Sequence, residues 1–123
     1  MQAWVPILQK KKKKIIIQSN NDLDFLRKQV TKIGYYITKE ELVKDSKIIY
    51  TIIEFKKGFR LYNKKQLFFG PFLLKEKNSL FKEKYLKELK KIEQFYHRIP
   101  AKHYHHKLKT YFKLKMLKNI LSD

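Results

Sequence analysis

The sequence predicts an α/β unit of strand, helix and antiparallel hairpin, followed by an α-helical coiled-coil hairpin. Three observations carry this reading. Ile15-Ile16-Ile17-Gln18 is a short unbroken apolar run, the mark of a strand buried on both faces of a parallel sheet. Leu23, Leu26, Val30 and Ile33 follow at helical spacing, one apolar stripe of an amphipathic helix. After Ser79, the residues Tyr85, Leu89, Ile92, Tyr96 and Ile99 alternate steps of four and three, the seam of two paired helices.

Taken in order, the elements have local reasons. Asn20, Asn21 or Asp22 can cap the first helix by accepting from its free N–H groups, and Asp24 suits the positive end of its dipole. Gly34 is the expected stop, free to take positive φ. "YYITKEELV" and "KIIYTIIEF" are rich in β-branched and aromatic residues around Lys44-Asp45-Ser46, so they form a hairpin with that turn. Gly70-Pro71 breaks the next stretch, which reads as an irregular connection with one short helical piece. Ser79 caps the following helix and Pro100 ends it; a second series, Leu108, Tyr111, Leu114, Leu117 and Leu121, then runs to the C-terminus. Two helices joined by a short break fold back antiparallel. The expected organisation is an α/β edge over residues 1–58, a connector over 59–78 and a Lys-rich helical hairpin over 79–123.

At 123 residues and 43% apolar content, the chain is one ordinary domain or part of something larger, with enough apolar surface for a core. It has no cysteine, which excludes a disulfide framework and thiolate metal sites. No uncharged apolar run reaches the roughly 18 residues of a membrane helix. At the N-terminus the charge follows the apolar stretch, the reverse of a secretory signal. The cytoplasm is the expected location. A formal charge of +19 and a pI near 10 point to a phosphate-rich partner, because each Lys near a phosphate releases condensed counterions. All the basic residues except Arg27, Arg60 and Arg98 are Lys, and an AT-biased genome would also enrich Lys.

The order of these elements matches the end of a class I methyltransferase sheet, a Rossmann-like fold, in which the seventh strand inserts antiparallel between the fifth and sixth. The residues sharpen the match. "IIIQSNNDLDFLRKQVTKIGYYITKEELVKDSKIIYTIIEFKKG" resembles the bacterial tRNA adenine-22 N1-methyltransferase family, with its Gln-Pro-Asn-like stretch, Leu-Arg helix and Glu-Glu-Leu-Val strand. "LFFGPFLLKEKNSLFKEKYLKELKKIE" resembles the same family's F-G-P-x-L-L-K-E-K junction, which opens a helical coiled-coil domain. The resemblance runs from about residue 13 to residue 123. Ser19 stands where the family usually has Pro.

The resemblance implies S-adenosylmethionine as the cofactor of the complete enzyme and tRNA as its substrate. The family's cofactor loop has no counterpart here: the only glycines are Gly34, Gly58 and Gly70, none in a Gly-rich turn after a strand. No cofactor-binding residue is therefore assigned, and the polypeptide alone is expected to be inactive. "MQAWVP", back-translated and shifted by two bases, reads Ala, Gly or Ser, Met, Leu or Val, then Gly. That is compatible with the family's Ala-Gly-Met-Gly-like motif, so a frameshift before the Lys10–Lys14 run is one expected origin; an internal start or a truncation are others. A strand at Ile15–Gln18 without its neighbour would leave an apolar edge that invites self-association.

Gln18 and Asn20 lie where ligands of such sheets bind, beyond the carboxyl end of a strand, and the resemblance sets them beside a flipped adenine; Asn21 reads as a cap. Lys82, Lys84, Lys87, Lys90 and Lys91 on one helix, with Lys102, Lys107, Lys109, Lys113, Lys115 and Lys118 at or beyond the turn, suit the backbone of folded RNA. His103, His105 and His106 have no metal-ligand spacing, so no metal is expected and they join the basic corner. Glu40, Glu41, Asp45 and Glu54 read as solvated ion-pair partners of Lys. Tyr85, Phe95, Tyr96, Tyr111 and Phe112 read as core packing. A free-standing basic RNA-binding or ribosome-associated module is the alternative; a membrane-surface role fits poorly, because the Lys rows surround a helix-pairing seam.

Overall fold

A computed structural model describes residues 13–122. Strand β1 (Lys14–Ser19) leads into helix α1 (Leu23–Lys32), and β2 (Tyr35–Asp45) and β3 (Ile48–Lys57) form the hairpin. The sheet order is β1-β3-β2, with both pairings antiparallel. β1 and β2 therefore point the same way with β3 reversed between them, the arrangement the resemblance implied.

One face of this sheet carries the core. Ile15, Ile17, Tyr35, Ile37, Ile53 and Phe55 pack with Leu23, Leu26 and Val30 of α1, and Ile33 and Tyr62 close the margin. Removing each such side chain from water contributes about 1.5–3 kcal/mol. Burial on both faces, expected from the unbroken Ile run, does not occur for β1. Ile16 is 60% exposed between buried Ile15 and Ile17, because successive side chains of a strand point to opposite faces and α1 packs with only one of them.

Two local expectations also move. The hairpin turn is Ser46-Lys47, since Lys44 and Asp45 still pair with Ile49 and Ile48. Ser46 takes φ 58°, as two-residue hairpin loops favour. At the start of α1, Asp22 occupies the cap position at φ 51° without a side-chain cap bond, and the Ser19 hydroxyl donates to the Asn21 carbonyl at 3.0 Å. Neither Asn21 nor its neighbours cap the helix with a side chain. Gly34, at φ 99°, does end it.

The connector is more ordered than its breakers suggest. Asn63 and Gln66 form a reciprocal capping box that opens α2 (Lys64–Phe69), which satisfies two free donors at once. Gly70 then joins α2 to α3 (Pro71–Glu76). These helices pack on α1 and β2 through one buried ion pair. Arg27 Nε donates to Glu40 Oε2 at 2.8 Å, with both side chains wholly buried. Arg27 Nη1 donates to the carbonyls of Leu67 (2.9 Å) and Phe68 (3.1 Å), while Glu40 Oε1 accepts from the amides of Phe72 (2.9 Å) and Leu73 (3.4 Å). Glu40 is thus no solvated carboxylate. At Gly70, with φ 98°, a Cβ would sit 2.5–2.6 Å from the Glu40 carboxylate and Arg27 Nη2, so only glycine lets the chain pass so close to the pair. Glu54 is an ion-pair partner of Lys14 at 3.7 Å. The Thr38 hydroxyl, displaced by a bulge in β2, donates to it at 2.7 Å and holds its carboxyl below the usual range, helped by Lys14.

The chain divides into two compact units between Leu80 and Phe81. The second holds most of α4 (Ser79–Arg98) and all of α5 (Tyr104–Leu121). Its helices touch through Glu93–Lys118 (3.5 Å), Tyr96–Tyr111 and Phe95–His106. On α5 the buried stripe is Thr110, Leu114, Leu117 and Ile120. Leu108 and Tyr111, expected in the seam, are 49% and 40% exposed. At about 100° per residue, they lie with Tyr104 on a separate stripe.

Candidate nucleic-acid interface

The structure places the predicted residues in two regions. Gln18 and Asn20 stand exposed at the carboxyl end of β1. The β1–α1 turn there, Ser19 to Asp22, is made by the Ser19–Asn21 bonds and a left-handed Asp22. Among the described residues, no strand pairs with the β1 edge opposite β3.

The second region is the pair of helices α4 and α5. Lys82, Lys87, Lys90 and Lys91 are exposed along α4, as are Lys102, Lys109 and Lys113 at and beyond the turn. Two predicted lysines are half-buried. Lys84 lies with its ammonium 5.2 Å from the Tyr85 ring centre. Lys107 stands over the Tyr96 ring at 4.9 Å and donates to the Ile99 carbonyl at 3.3 Å. His103, His105 and His106 are exposed beside them, with His105 against the Tyr104 ring and His106 edge-on to Phe95. Among the described residues, no group of His, Asp and Glu is placed to hold a metal ion, and no helix is long and apolar enough to cross a membrane.

The aromatic residues correct the sequence reading. Tyr85 is buried as expected, but Phe95 is 50%, Tyr111 40% and Phe112 60% exposed. Tyr104, which helical spacing did not single out, is 62% exposed at the start of α5. It helps to line an open depression of about 460 Å³ with Tyr96, Ala101, Lys107, Leu108 and Tyr111. A signal was present: from Gln94 to Ser122 the sequence contains no Asp or Glu, so these rings sit in an all-cationic tract.

The sequence profile of the tRNA (adenine(22)-N(1))-methyltransferase family matches residues 6–120. This chain belongs to that family. Solved structures agree with the family assignment. A protein of the NADB-Rossmann superfamily from Streptococcus agalactiae is 31% identical, with a TM-score of 0.83 over 89% of this chain and 48% of its own. Sp1610 from Streptococcus pneumoniae, a candidate tRNA (m1A22) methyltransferase, is 29% identical with a TM-score of 0.82 over 89% and 49%. That protein has also been solved with S-adenosyl-L-methionine. The M1A22 tRNA methyltransferase TrmK of B. subtilis, at 24% identity and a TM-score of 0.77 over 88% and 51%, shares the fold. No curated protein matches the sequence. The chain spans about half the length of these solved relatives.

The described residues do not compose a cradle for the family cofactor. Such a cradle needs backbone amides in a tight glycine turn after a strand, and the β1–α1 turn has none. Gly34 and Gly58 end α1 and β3, and Gly70 is filled by the Arg27–Glu40 pair.

Proposed function

We propose that this chain is the C-terminal part of an S-adenosylmethionine-dependent tRNA (adenine-N1) methyltransferase. It supplies the far edge of the catalytic sheet and a Lys-rich coiled-coil hairpin that holds tRNA. The observation that carries this reading is the β1-β3-β2 order with its reversed central strand, within the stretch of residues 6–120 that matches the family. In the complete enzyme, Gln18 and Asn20 offer amide donors and acceptors to the ring edge of an extruded adenine. Lys82, Lys84, Lys87, Lys90 and Lys91, with Lys102, Lys107, Lys109 and Lys113 and the histidines His103, His105 and His106, contact phosphates and so fix the tRNA body without reading sequence. The working location is the cytoplasm. Because no cofactor cradle is formed by these residues, no step of methyl transfer is assigned to them.

Two measurements on the purified chain test this. With tRNA and S-adenosylmethionine, no methyl transfer is expected; turnover overturns the assignment. In tRNA titrations across salt, log affinity should fall linearly with log salt, by about 0.7–0.9 per phosphate neutralised. Replacing Lys82, Lys87, Lys90 and Lys91 by Gln should flatten that slope. A chain that binds no tRNA at low salt, or a slope untouched by the four substitutions, removes the hairpin's role. Tight tRNA binding by a chain whose gene lacks any upstream methyltransferase sequence would favour a free-standing RNA-binding module. The open β1 edge and exposed Ile16 predict self-association, read as mass by sedimentation before each titration; a monomer at high concentration speaks against it.

A further inference from the structure

We propose that the α4–α5 turn seats one unpaired base of a single-stranded RNA segment in the depression lined by Tyr96, Ala101, Tyr104, Lys107, Leu108 and Tyr111. This rests on the RNA-binding role proposed above and adds the kind of RNA taken, an unstacked nucleotide where the Lys rows alone would suit a duplex face.

The first support is a stripe on α5 that lies off its buried face. Tyr104, Leu108 and Tyr111 occupy one face of α5 at spacings of four and three, and all are exposed, while Thr110, Leu114, Leu117 and Ile120 form the buried face. Tyr111 touches Tyr96 of α4, but large apolar side chains left this exposed on a second helix face mark a surface that meets something else. The second support is charge. Arg98, Lys102, Lys107, Lys109, Lys113 and Lys115 occur in a tract without any carboxylate, so the occupant is an anion. An acidic peptide or an RNA duplex would answer the cations alone. A single-stranded RNA answers both features, with phosphates for the lysines and a free π-face for the rings. The third is shape. Lys107 is held at the depression by the Ile99 carbonyl and the Tyr96 ring. It lies beside Leu108 and the exposed rings of Tyr104 and Tyr111, which contact His105 and Tyr96.

The test uses the full chain. Affinity is measured for a fluorescent single-stranded RNA of roughly 8 nucleotides and for an RNA duplex with the same number of phosphates, each at several salt concentrations. Replacing Tyr104 and Tyr111 together by Ala should weaken single-strand binding roughly 5- to 150-fold, the range for one stacked base. Duplex affinity and both salt slopes should stay unchanged, and Tyr104→Phe should retain the wild-type affinity. Helix content by circular dichroism should hold, since Ala is the strongest helix former. Equal loss on both RNAs, or no loss on either, overturns the seat while leaving the hairpin's backbone role intact. A wild-type chain that binds neither RNA overturns both. Binding to anionic vesicles that the double variant abolishes, with RNA binding preserved, assigns the patch to a lipid surface and also overturns the proposal.

Discussion

The two units of this molecule use charge in opposite ways. In the first, Arg27 and Glu40 are buried completely, 2.8 Å apart, and bind four backbone groups of α2 and α3. In the second, Lys87–Glu83 at 3.6 Å and Lys118–Glu93 at 3.5 Å lie in solvent. A desolvated pair needs its remaining donors and acceptors met. The α2–α3 backbone meets Arg27 Nη1 and Glu40 Oε1, while Arg27 Nη2 is buried without a hydrogen-bond partner. Exposed pairs have no such requirement and little energetic weight. The lesson is that a net charge of +19 hides two populations: an arginine that organises a core, and lysines exposed along the helices of the second unit.

The comparison can be broken at its strongest point first. Glu40→Ala should destabilise the first unit by about 3–5 kcal/mol, because it strands a buried guanidinium and two amides. Urea unfolding reads this directly, and a loss below about 1 kcal/mol would mean that the pair does not organise the core. Gly70→Ala is next. It forces a side chain into a left-handed position and against the pair at 2.5–2.6 Å, and should cost more than about 1 kcal/mol. An unchanged urea midpoint would show that α2 and α3 can shift away from the pair. The smallest effect sharpens the contrast. Glu83→Ala should change stability by about 0.3–0.5 kcal/mol and less at high salt. A loss as large as that of Glu40→Ala would show that the second unit also depends on its ion pairs.

Much of the first unit was legible because its signals are local. The apolar stripe of α1, the Gly34 stop and the β-branched runs of β2 and β3 each follow from a residue's own backbone preference or from spacing along a single element. Glu40 was misread for the opposite reason. Its partner Arg27 lies thirteen residues away and its amide donors more than thirty, so nothing in its neighbourhood distinguishes it from a solvated carboxylate. Gln18 and Asn20 do stand at the carboxyl end of β1, but no signal along that element says what faces them. On α5, steps of three and four run continuously from Leu108 to Leu121. That series joins two stripes, and only burial separates them.

The sequence by itself determined the order and type of the elements outside the connector, the Gly34 stop and the cationic character of the α4–α5 region, because these depend on periodicity, φ preference and composition. Tertiary structure alone decided that Ile16 faces solvent, that Arg27 and Glu40 meet inside the core, and that Tyr104 and Tyr111 face outward. Each of these is set by which surface a neighbouring element covers, and packing between elements is a property of distance in space that spacing along the chain does not encode.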